Sequence, residues 1–137
     1  MPAYLLDSNA LFDILKNPHG RTARQHQLVT DNSVNEVLVS IITVCELRYG
    51  VFKKGSQRLA DRIEETLAAV RVVALDLGAD MAYAELRTDL ERKGQLIGPN
   101  DMLIAAHALA LGAILVTDNV REFKRVKGLK IENWLRP

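Results

Sequence analysis

Short apolar runs along the chain alternate with longer segments whose apolar residues recur every three or four positions. The runs predict five β-strands, at Ala3–Leu6, Val37–Ile41, Val72–Leu75, Ile114–Thr117 and a short edge strand near Lys130–Glu132. They are apolar throughout, which is typical of parallel strands that are covered on both faces. Strands that alternate with helical segments predict an α/β fold built on a mostly parallel sheet.

Three of the intervening segments have a helical pattern. The first follows a potential N-cap at Ser56 and has its apolar residues at Leu59, Ile63, Leu67 and Val70. The second has them at Leu77, Met81, Leu86 and Leu90. The third, residues 99–111, begins with Pro99 and ends before Gly112, a typical residue just beyond a helix. We find no repeat, low-complexity tract or linker, so residues 1–137 are expected to form a single domain.

Composition narrows the class of protein. A chain of 137 residues, 48% hydrophobic and 26% charged, is large enough for a core and unlike a disordered chain. Cys45 is the only cysteine, which excludes an internal disulfide and fits a reducing compartment. Charged residues interrupt every apolar segment, and Asp7 comes early in an N-terminus with no basic residue before Lys16. We therefore expect a cytoplasmic protein without a membrane segment or signal peptide.

The net charge of +1 is unevenly distributed. Residues 119–137 contain six basic side chains and two acidic ones, a balance of +4, which leaves −3 for residues 1–118. A basic end of this kind can contact a polyanion such as RNA. The other interpretation is an ordinary solvated surface, and charge alone favours that one.

Four acidic residues are predicted to lie near one edge of the sheet. Asp7 and Asp118 directly follow strands, Asp101 lies in the first turn of a helix, and Glu46 lies about one turn into the helix after the second strand. Sites in open α/β sheets form beyond the carboxyl ends of the strands.

Each of these residues also has a structural interpretation, because aspartates often cap helices and a glutamate on a helix is often solvated. Carboxylates that are brought together repel one another, however, and a divalent cation removes that repulsion. A ligand set of oxygens alone, without a Cys or His cluster, indicates Mg²⁺ or Mn²⁺ rather than zinc. Asp7 is therefore interpreted as a metal ligand.

Other chemistries find less support. His19 and His26 lie in a polar stretch without an obvious partner, and His107 lies in a helical pattern where a packing role is more common than catalysis. A histidine-based ribonuclease or a Ser-His-Asp hydrolase would thus lack its base. The chain contains neither Gly-x-Gly-x-x-Gly nor Gly-Lys-Ser/Thr, so dinucleotide-binding and P-loop sites are not predicted.

The acidic residues lie in four ordered blocks that resemble PIN-domain ribonucleases. The blocks are Leu5–Asn9, Ser40–Gly50, Ile97–Ala108 and Leu115–Phe123, and the closing Gly128-Leu129…Glu132-Asn133-Trp134 also fits. The chain is most similar to the VapC toxins of bacterial toxin–antitoxin pairs, with FitB-like proteins as near relatives. The fold implied is a three-layer α/β/α PIN-like domain with a central, mostly parallel sheet.

The resemblance implies a Mg²⁺- or Mn²⁺-dependent endoribonuclease whose catalytic residues are Asp7, Glu46, Asp101 and Asp118. It also implies a homodimer, a small antitoxin partner that fills the acidic groove, often with an arginine, and, as substrate, the anticodon loop of initiator tRNA. Two positions depart from the family pattern. Ser8 stands where threonine is usual, and many of the most similar relatives have asparagine in place of Asp118.

The expected reaction is hydrolysis of an RNA phosphodiester by a metal-activated water. Asp7 and Asp101 would hold the principal ion, and Glu46 would position or deprotonate the water. Asp118 would complete the ion's site or assist a second ion, and Asn9 and Thr117 would orient the ligands by hydrogen bonds.

Two alternatives remain open. A phosphatase of the haloacid-dehalogenase kind also begins with a strand that ends in an aspartate, but it needs a second aspartate where Asn9 stands. A non-catalytic PIN-like RNA-binding module is the other. For the homodimer, the apolar stripe of Leu59, Ile63, Leu67 and Val70 is expected to exceed what one sheet covers.

Overall fold

Five parallel strands form one sheet in the computed structural model, which describes residues 2–137. The strand order is β3-β2-β1-β4-β5, and every neighbouring pair is parallel. The strands are β1 Ala3–Leu6, β2 Glu36–Ser40, β3 Arg71–Val73, β4 Ile114–Val116 and β5 Ile131–Glu132. The predicted α/β class with a mostly parallel central sheet is confirmed.

The observed ends of β2 and β3 differ from the predicted ones. β1 has the predicted bounds, but β2 ends at Ser40 rather than Ile41, because the Ser40 hydroxyl accepts a hydrogen bond from the Ile42 N–H (3.1 Å) and starts a helix. β3 stops at Val73, short of the predicted Leu75. Apolar side chains continue past both strands, which is why the pattern alone placed the ends too late.

Seven helices connect and cover the strands of the described chain. They are α1 Ser8–Lys16, α2 Arg21–Asp31, α3 Ile41–Lys54, α4 Gln57–Ala68, α5 Ala79–Arg92, α6 Pro99–Leu111 and α7 Val120–Phe123. The predicted helix over 99–111 is confirmed at both ends, with Gly112 in the left-handed conformation (φ 64°) beyond it. In the described part of the chain, no helix combines the length and apolar character that crossing a bilayer requires.

Alternate residues of the central strands pack into two separate cores. Leu5 and Leu115 face one core with residues of α5 and α6. Leu6, Val39 and Val116 face the other, with residues of α1, α2, α3 and α4. Because the side chains of a strand point alternately to opposite faces, this is the expected three-layer α/β/α arrangement.

The apolar stripe on α4 lies inside the protein. Ile63 and Leu67 are buried, and Leu59 and Val70 pack partly buried against the same core. The argument that this stripe leaves a surface for a second copy is therefore wrong, because the helix packs that face against its own sheet. In the predicted second helical segment, Leu77 precedes α5 and is 90% exposed.

The sheet order determines where a site can form. β1 lies between β2, which follows it in sequence, and β4, which the chain reaches only after crossing from β3 at the opposite edge. The crevice at the carboxyl ends of β1 and β4 is thus a topological switch point, the usual location of sites in open α/β sheets. Asp7 follows β1 at this crevice, and its backbone N–H donates to the Val116 carbonyl of β4 at 2.9 Å.

Candidate active site

Asp7 is a buried carboxylate at the start of α1. Its Oδ1 accepts a hydrogen bond from the Ser8 N–H (2.8 Å), so Asp7 is the N-cap of the helix. Its Oδ2 accepts from the Thr117 hydroxyl (2.8 Å) and the Asn9 side-chain amide (3.2 Å). Burial raises the pKa of Asp7, and these three hydrogen bonds oppose the shift.

Asn9 and Thr117 form a small network that holds Asp7. The Asn9 amide also donates to the Thr117 hydroxyl oxygen at 3.2 Å, and its carbonyl oxygen accepts from the Asp118 N–H at 2.9 Å. Both residues therefore make the orienting hydrogen bonds that the sequence predicted for them. A carboxylate held on both oxygens has one orientation, which suits a group that must keep its position when a cation binds.

Glu46 and Asp101 project into the same crevice from α3 and α6. Burial raises the pKa of Glu46, and the negative charge of Asp7 raises it further, while contact with Asn100 acts the other way. Glu46 Oε1 is buried and has no hydrogen-bond partner among the described residues. An unpaired buried carboxylate oxygen is costly, so this atom is available for a ligand or a proton.

Asp101 is the most perturbed of the carboxyl groups. Burial, followed by the charge of Asp7 and then by Glu122 and Glu46, raises the pKa of Asp101 to about 7. Three acidic neighbours act on this one group, so Asp7, Glu46 and Asp101 do converge as the sequence predicted.

Glu122 is the acidic residue that sequence reasoning missed. It lies on the short α7, and its hydrogen bond with Asp101 and its negative charge both raise the pKa of Asp101. The Asn119 side-chain amide donates to Glu122 Oε2 at 2.8 Å and fixes it there. The available signal was its position: Glu122 lies in the first helical turn after β4, just as Asp101 lies in the first turn of α6.

Asp118 has a different environment from the other predicted acids. Its Oδ1 accepts from Arg136 Nε (2.7 Å) and the Asn133 side-chain amide (3.0 Å), and Arg136 Nη2 lies 3.4 Å from its Oδ2. These contacts, with Arg136 first, lower the pKa of Asp118, whereas burial and then the neighbouring acids raise the pKa of Asp101. The structure therefore does not bring Asp118 into the group formed by Asp7, Glu46 and Asp101, and its predicted catalytic role stays a prediction.

The cluster fits a divalent cation in charge and in donor type. All of its donors are oxygens, and Glu46 Oε1 is unpaired. Burial first, and then repulsion from neighbouring acids, raises the pKa of Asp101, and a cation would relieve that repulsion. Within residues 2–137, no three His, Cys, Asp or Glu side chains already stand close enough to form a ready-made metal site. Binding would thus draw the carboxylates together rather than fill a preformed cage.

His107 has the packing role that its pattern suggested. It is buried in α6, and its Nδ1 lies 2.8 Å from the Ser40 hydroxyl oxygen. Burial lowers the pKa of His107, and a hydrogen bond with the Ala74 backbone opposes the shift. His26 lies on α2, where burial lowers its pKa as well. Both imidazoles are therefore biased towards the neutral form.

Comparison with known proteins identifies the family of this chain. The profile of the PIN domain family matches residues 4–129. The chain is 38% identical to the ribonuclease VapC2 of Rickettsia felis over 96% of its own length and 97% of that protein. The chain belongs to the VapC family of PIN-domain ribonucleases. The predicted family and the prediction of a nuclease are thus confirmed, and the alternative of a haloacid-dehalogenase-like phosphatase is wrong.

Two further VapC-type similarities support the assignment. A tRNA(fMet)-specific endonuclease VapC of Salmonella typhimurium is 33% identical over 98% of this chain and 99% of that protein. The structure of VapBC2 from Rickettsia felis, bound to a DNA fragment from their promoter, aligns with a TM-score of 0.89 at 36% identity, covering 96% of this chain and 98% of that one.

The FitB-like relationship is also borne out. FitAcB from Neisseria gonorrhoeae aligns with a TM-score of 0.77 at 25% identity, over 98% of this chain and 99% of that one. The α/β fold is therefore shared across both groups of proteins.

Proposed function

We propose that this protein is a Mg²⁺-dependent endoribonuclease, with Mn²⁺ able to substitute, and that it acts as the toxin of a type II toxin–antitoxin pair. Asp7 and Asp101 would hold the cation, and Glu46 and Glu122 would complete the acidic cluster. The observation that carries the proposal is the convergence of part-buried carboxyl groups: burial, and then Asp7, Glu122 and Glu46, raise the pKa of Asp101 to about 7.

When bound, Mg²⁺ supplies positive charge that stabilises the negative charge developing on the phosphate and makes water more acidic. Residues of the chain itself position the groups and accept the proton. Asp7 is held by Ser8, Thr117 and Asn9, so it provides a fixed anchor. Glu46 Oε1, which is buried and unpaired, accepts the proton of the attacking water. Glu122 hydrogen-bonds Asp101 and sets its orientation.

RNA is the substrate class that we propose. The basic side chains of Arg121 and Lys124 are exposed on and just after α7, next to Glu122. They can contact the phosphate backbone, and a single-stranded loop can present its backbone to the crevice. The similarity to a tRNA(fMet)-specific endonuclease makes the anticodon loop of initiator tRNA the proposed target.

An antitoxin segment is the proposed protein partner. An open groove of about 490 Å³ runs from Asn9 along α1 to α3 and α4, with the apolar side chains of Phe12, Leu59 and Leu135 in its lining. Lys16 and Lys54 lie at the same groove. The structural neighbours include VapBC complexes, one of them described as a member of a family of toxin–antitoxin systems. We propose that an amphipathic segment of the antitoxin fills this groove and reaches the carboxylates with an arginine.

The proposal is tested with purified protein, freed of any partner, and two transcripts, initiator tRNA and an elongator tRNA of similar length. We expect cleavage of initiator tRNA in Mg²⁺ or Mn²⁺ and none in excess EDTA. Glu46→Gln, which keeps the shape but cannot accept the proton, serves as the inactive control. Cleavage that continues in EDTA would exclude the metal mechanism, and equal cleavage of both transcripts would exclude the tRNA assignment. A folded protein that binds RNA without cutting it would favour the non-catalytic module.

A further inference from the structure

The C-terminal segment, residues 133–136, is fastened to Asp118. Arg136 and Asn133 donate to Asp118 Oδ1 at 2.7 and 3.0 Å. Asn133 Oδ1 in turn accepts from the Leu135 N–H at 3.0 Å, which turns the chain so that Arg136 reaches back to the carboxylate. Asp118 thus joins two residues that lie on either side of Trp134.

Trp134 packs the same segment onto the body of the protein. Its side chain is 3% exposed, and its ring lies 5.6 Å from the ring of Tyr4. The indole N–H donates to Glu132 Oε1 at 3.0 Å, and the Trp134 carbonyl accepts from the Thr22 hydroxyl at 3.4 Å. Burial of a tryptophan supplies most of the attraction, while the polar contacts of Asp118 set the direction of the segment.

A short chain of hydrogen bonds links this segment to the acidic cluster. The Asp118 N–H donates to Asn9 Oδ1 at 2.9 Å, and the Asn9 amide donates to Asp7 Oδ2 at 3.2 Å. A shift of the backbone at Asp118 would therefore move Asn9, and Asn9 would turn away from Asp7.

We propose that Asp118 is a positioning residue, which fixes the C-terminal segment beside the site and through Asn9 holds Asp7, and that it is not a metal ligand. Its carboxylate faces Arg136 and Asn133, not the oxygens of the acidic cluster. The predicted effect of Asp118 on catalysis rests on the proposed function, whereas its predicted effect on the C-terminal segment does not.

The first test follows the segment itself by fluorescence. Trp134 is the only tryptophan in the chain, so its emission reports on this segment alone. Asp118→Asn and Arg136→Ala should each make Trp134 more accessible to acrylamide, with a quenching constant raised by about two- to fivefold, since exposed ion pairs are modest. Arg87→Ala removes a comparable exposed ion pair with Glu91 on α5 and should leave the quenching unchanged. Unchanged quenching in both variants of the segment would overturn the proposal.

The second test separates positioning from metal binding. If Asp118 positions Asp7, Asp118→Asn and Arg136→Ala should lower kcat to a similar extent, the double variant should be no worse than either, and Arg136→Lys should restore most of the activity. KM should not change, and the Mg²⁺ concentration for half-maximal activity should rise by the same factor in both variants, because both loosen Asp7 through Asn9. Mg²⁺ should also raise the Tm of Asp118→Asn as much as that of Arg136→Ala. If Mg²⁺ instead fails to stabilise Asp118→Asn but still stabilises Arg136→Ala, Asp118 is a ligand and the proposal is wrong.

The two tests distinguish a failure of the proposed function from a failure of the inference about Asp118. A parent protein that cuts no RNA contradicts the proposed function, and the fluorescence result still decides whether Asp118 fastens the segment. Normal fluorescence in the variants of an active enzyme contradicts the inference alone.

Discussion

At Asp7, one carboxylate both caps a helix and belongs to a cluster of acids. The cap needs only one acceptor oxygen, which receives the Ser8 N–H, whereas cation binding needs the negative charge. Burial raises the pKa of this residue, so the charge itself is costly in the folded protein without a cation. A substitution that removes the charge and keeps the oxygen therefore separates the two tasks.

Asp7→Asn should abolish RNA cleavage and leave the fold intact. Asparagine can still accept from Ser8 through its carbonyl oxygen, so the cap remains, while the hydrogen bonds from Thr117 and Asn9 to Oδ2 are lost. Activity should fall by at least about 100-fold, because even residues that only orient metal ligands contribute about 10- to 100-fold. The measurement is a time course of initiator tRNA cleavage beside a thermal unfolding curve in EDTA.

The matched control is Asp13→Asn, which changes a half-buried aspartate on the same helix, at a distance from the cluster. It should keep full activity, and Mg²⁺ should raise its Tm as it raises that of the parent. Mg²⁺ should raise the Tm of Asp7→Asn less than it raises that of the parent or of Asp13→Asn, because a ligand stabilises a protein according to its affinity for the folded state. An active Asp7→Asn enzyme would contradict the assignment of Asp7 as a ligand.

Asp101 makes the stability of the metal-free protein depend on pH. Its pKa is about 7 in the folded protein against an ordinary value of 3.8, so the folded state keeps a proton that the unfolded chain releases. The contribution of this group to the free energy of unfolding must therefore fall as the pH rises from about 4 to about 7. Asp101→Asn removes this loss, so its Tm in EDTA should match the parent near pH 4 and exceed it by about 3–6 °C at pH 8.

Asp80→Asn is the control for this measurement. Asp80 also lies in the first turn of a long helix, α5, but it is exposed and away from the cluster. The Tm of Asp80→Asn should therefore equal that of the parent at pH 8. Saturating Mg²⁺ should remove most of the difference between Asp101→Asn and the parent, since a cation stabilises the ionised cluster only where Asp101 remains. Parallel Tm curves for Asp101→Asn and the parent across this range would show that Asp101 is ionised throughout.

Among the helices and strands, helix caps and the edge where parallel strands end could be read from the sequence, whereas the last residues of β2 and β3 and single tertiary contacts could not. Ser56 caps α4 and Gly112 ends α6 because a few neighbouring backbone groups decide both features. The convergence of Asp7, Glu46 and Asp101 was also predictable, because parallel strands bring their carboxyl ends to one edge. The pairing of Asp118 with Arg136 was not, since it depends on how Trp134 docks 16 residues further along the chain. Glu122 was missed because α7 has only four residues and leaves no periodic pattern.

Ser40 joins three elements at the end of β2. Its hydroxyl caps α3 through the Ile42 N–H and contacts His107 Nδ1 of α6 at 2.8 Å. Ser40→Ala should lower the free energy of unfolding by about 2–4 kcal/mol, because it removes a cap worth about 1 kcal/mol and leaves a buried imidazole nitrogen unpaired at about 1–3 kcal/mol. Urea unfolding curves give this value.

Ser56→Ala is the matched control for Ser40→Ala, because Ser56 caps α4 through the Leu59 N–H at 3.2 Å and has no second task. Ser56→Ala should lower the free energy of unfolding by about 1 kcal/mol. Equal losses at the two serines would mean that the contact between Ser40 and His107 contributes nothing to stability.

At the scale of the whole molecule, the fold leaves an apolar stripe on the outer face of α3 uncovered. Ile41, Cys45, Tyr49 and Phe52 follow one another at intervals of four, four and three residues, so they lie on one side of the helix. All four are exposed, Tyr49 by 67% and Phe52 by 83%. Exposed aromatic side chains on one helix face are typical of protein interfaces, and we propose a second copy of this chain as the partner.

The protein should therefore be a homodimer in solution, with about twice the monomer mass of 15.3 kDa by light scattering at micromolar concentration. Phe52→Glu should give a monomer, because a two-fold interface would bury the new charge twice. Leu28→Glu changes a side chain on α2 that is 67% exposed, away from the stripe, and should leave the dimer intact. A parent protein that is monomeric at these concentrations would refute the homodimer. A dimer that survives Phe52→Glu would place the interface elsewhere and leave this stripe for the antitoxin.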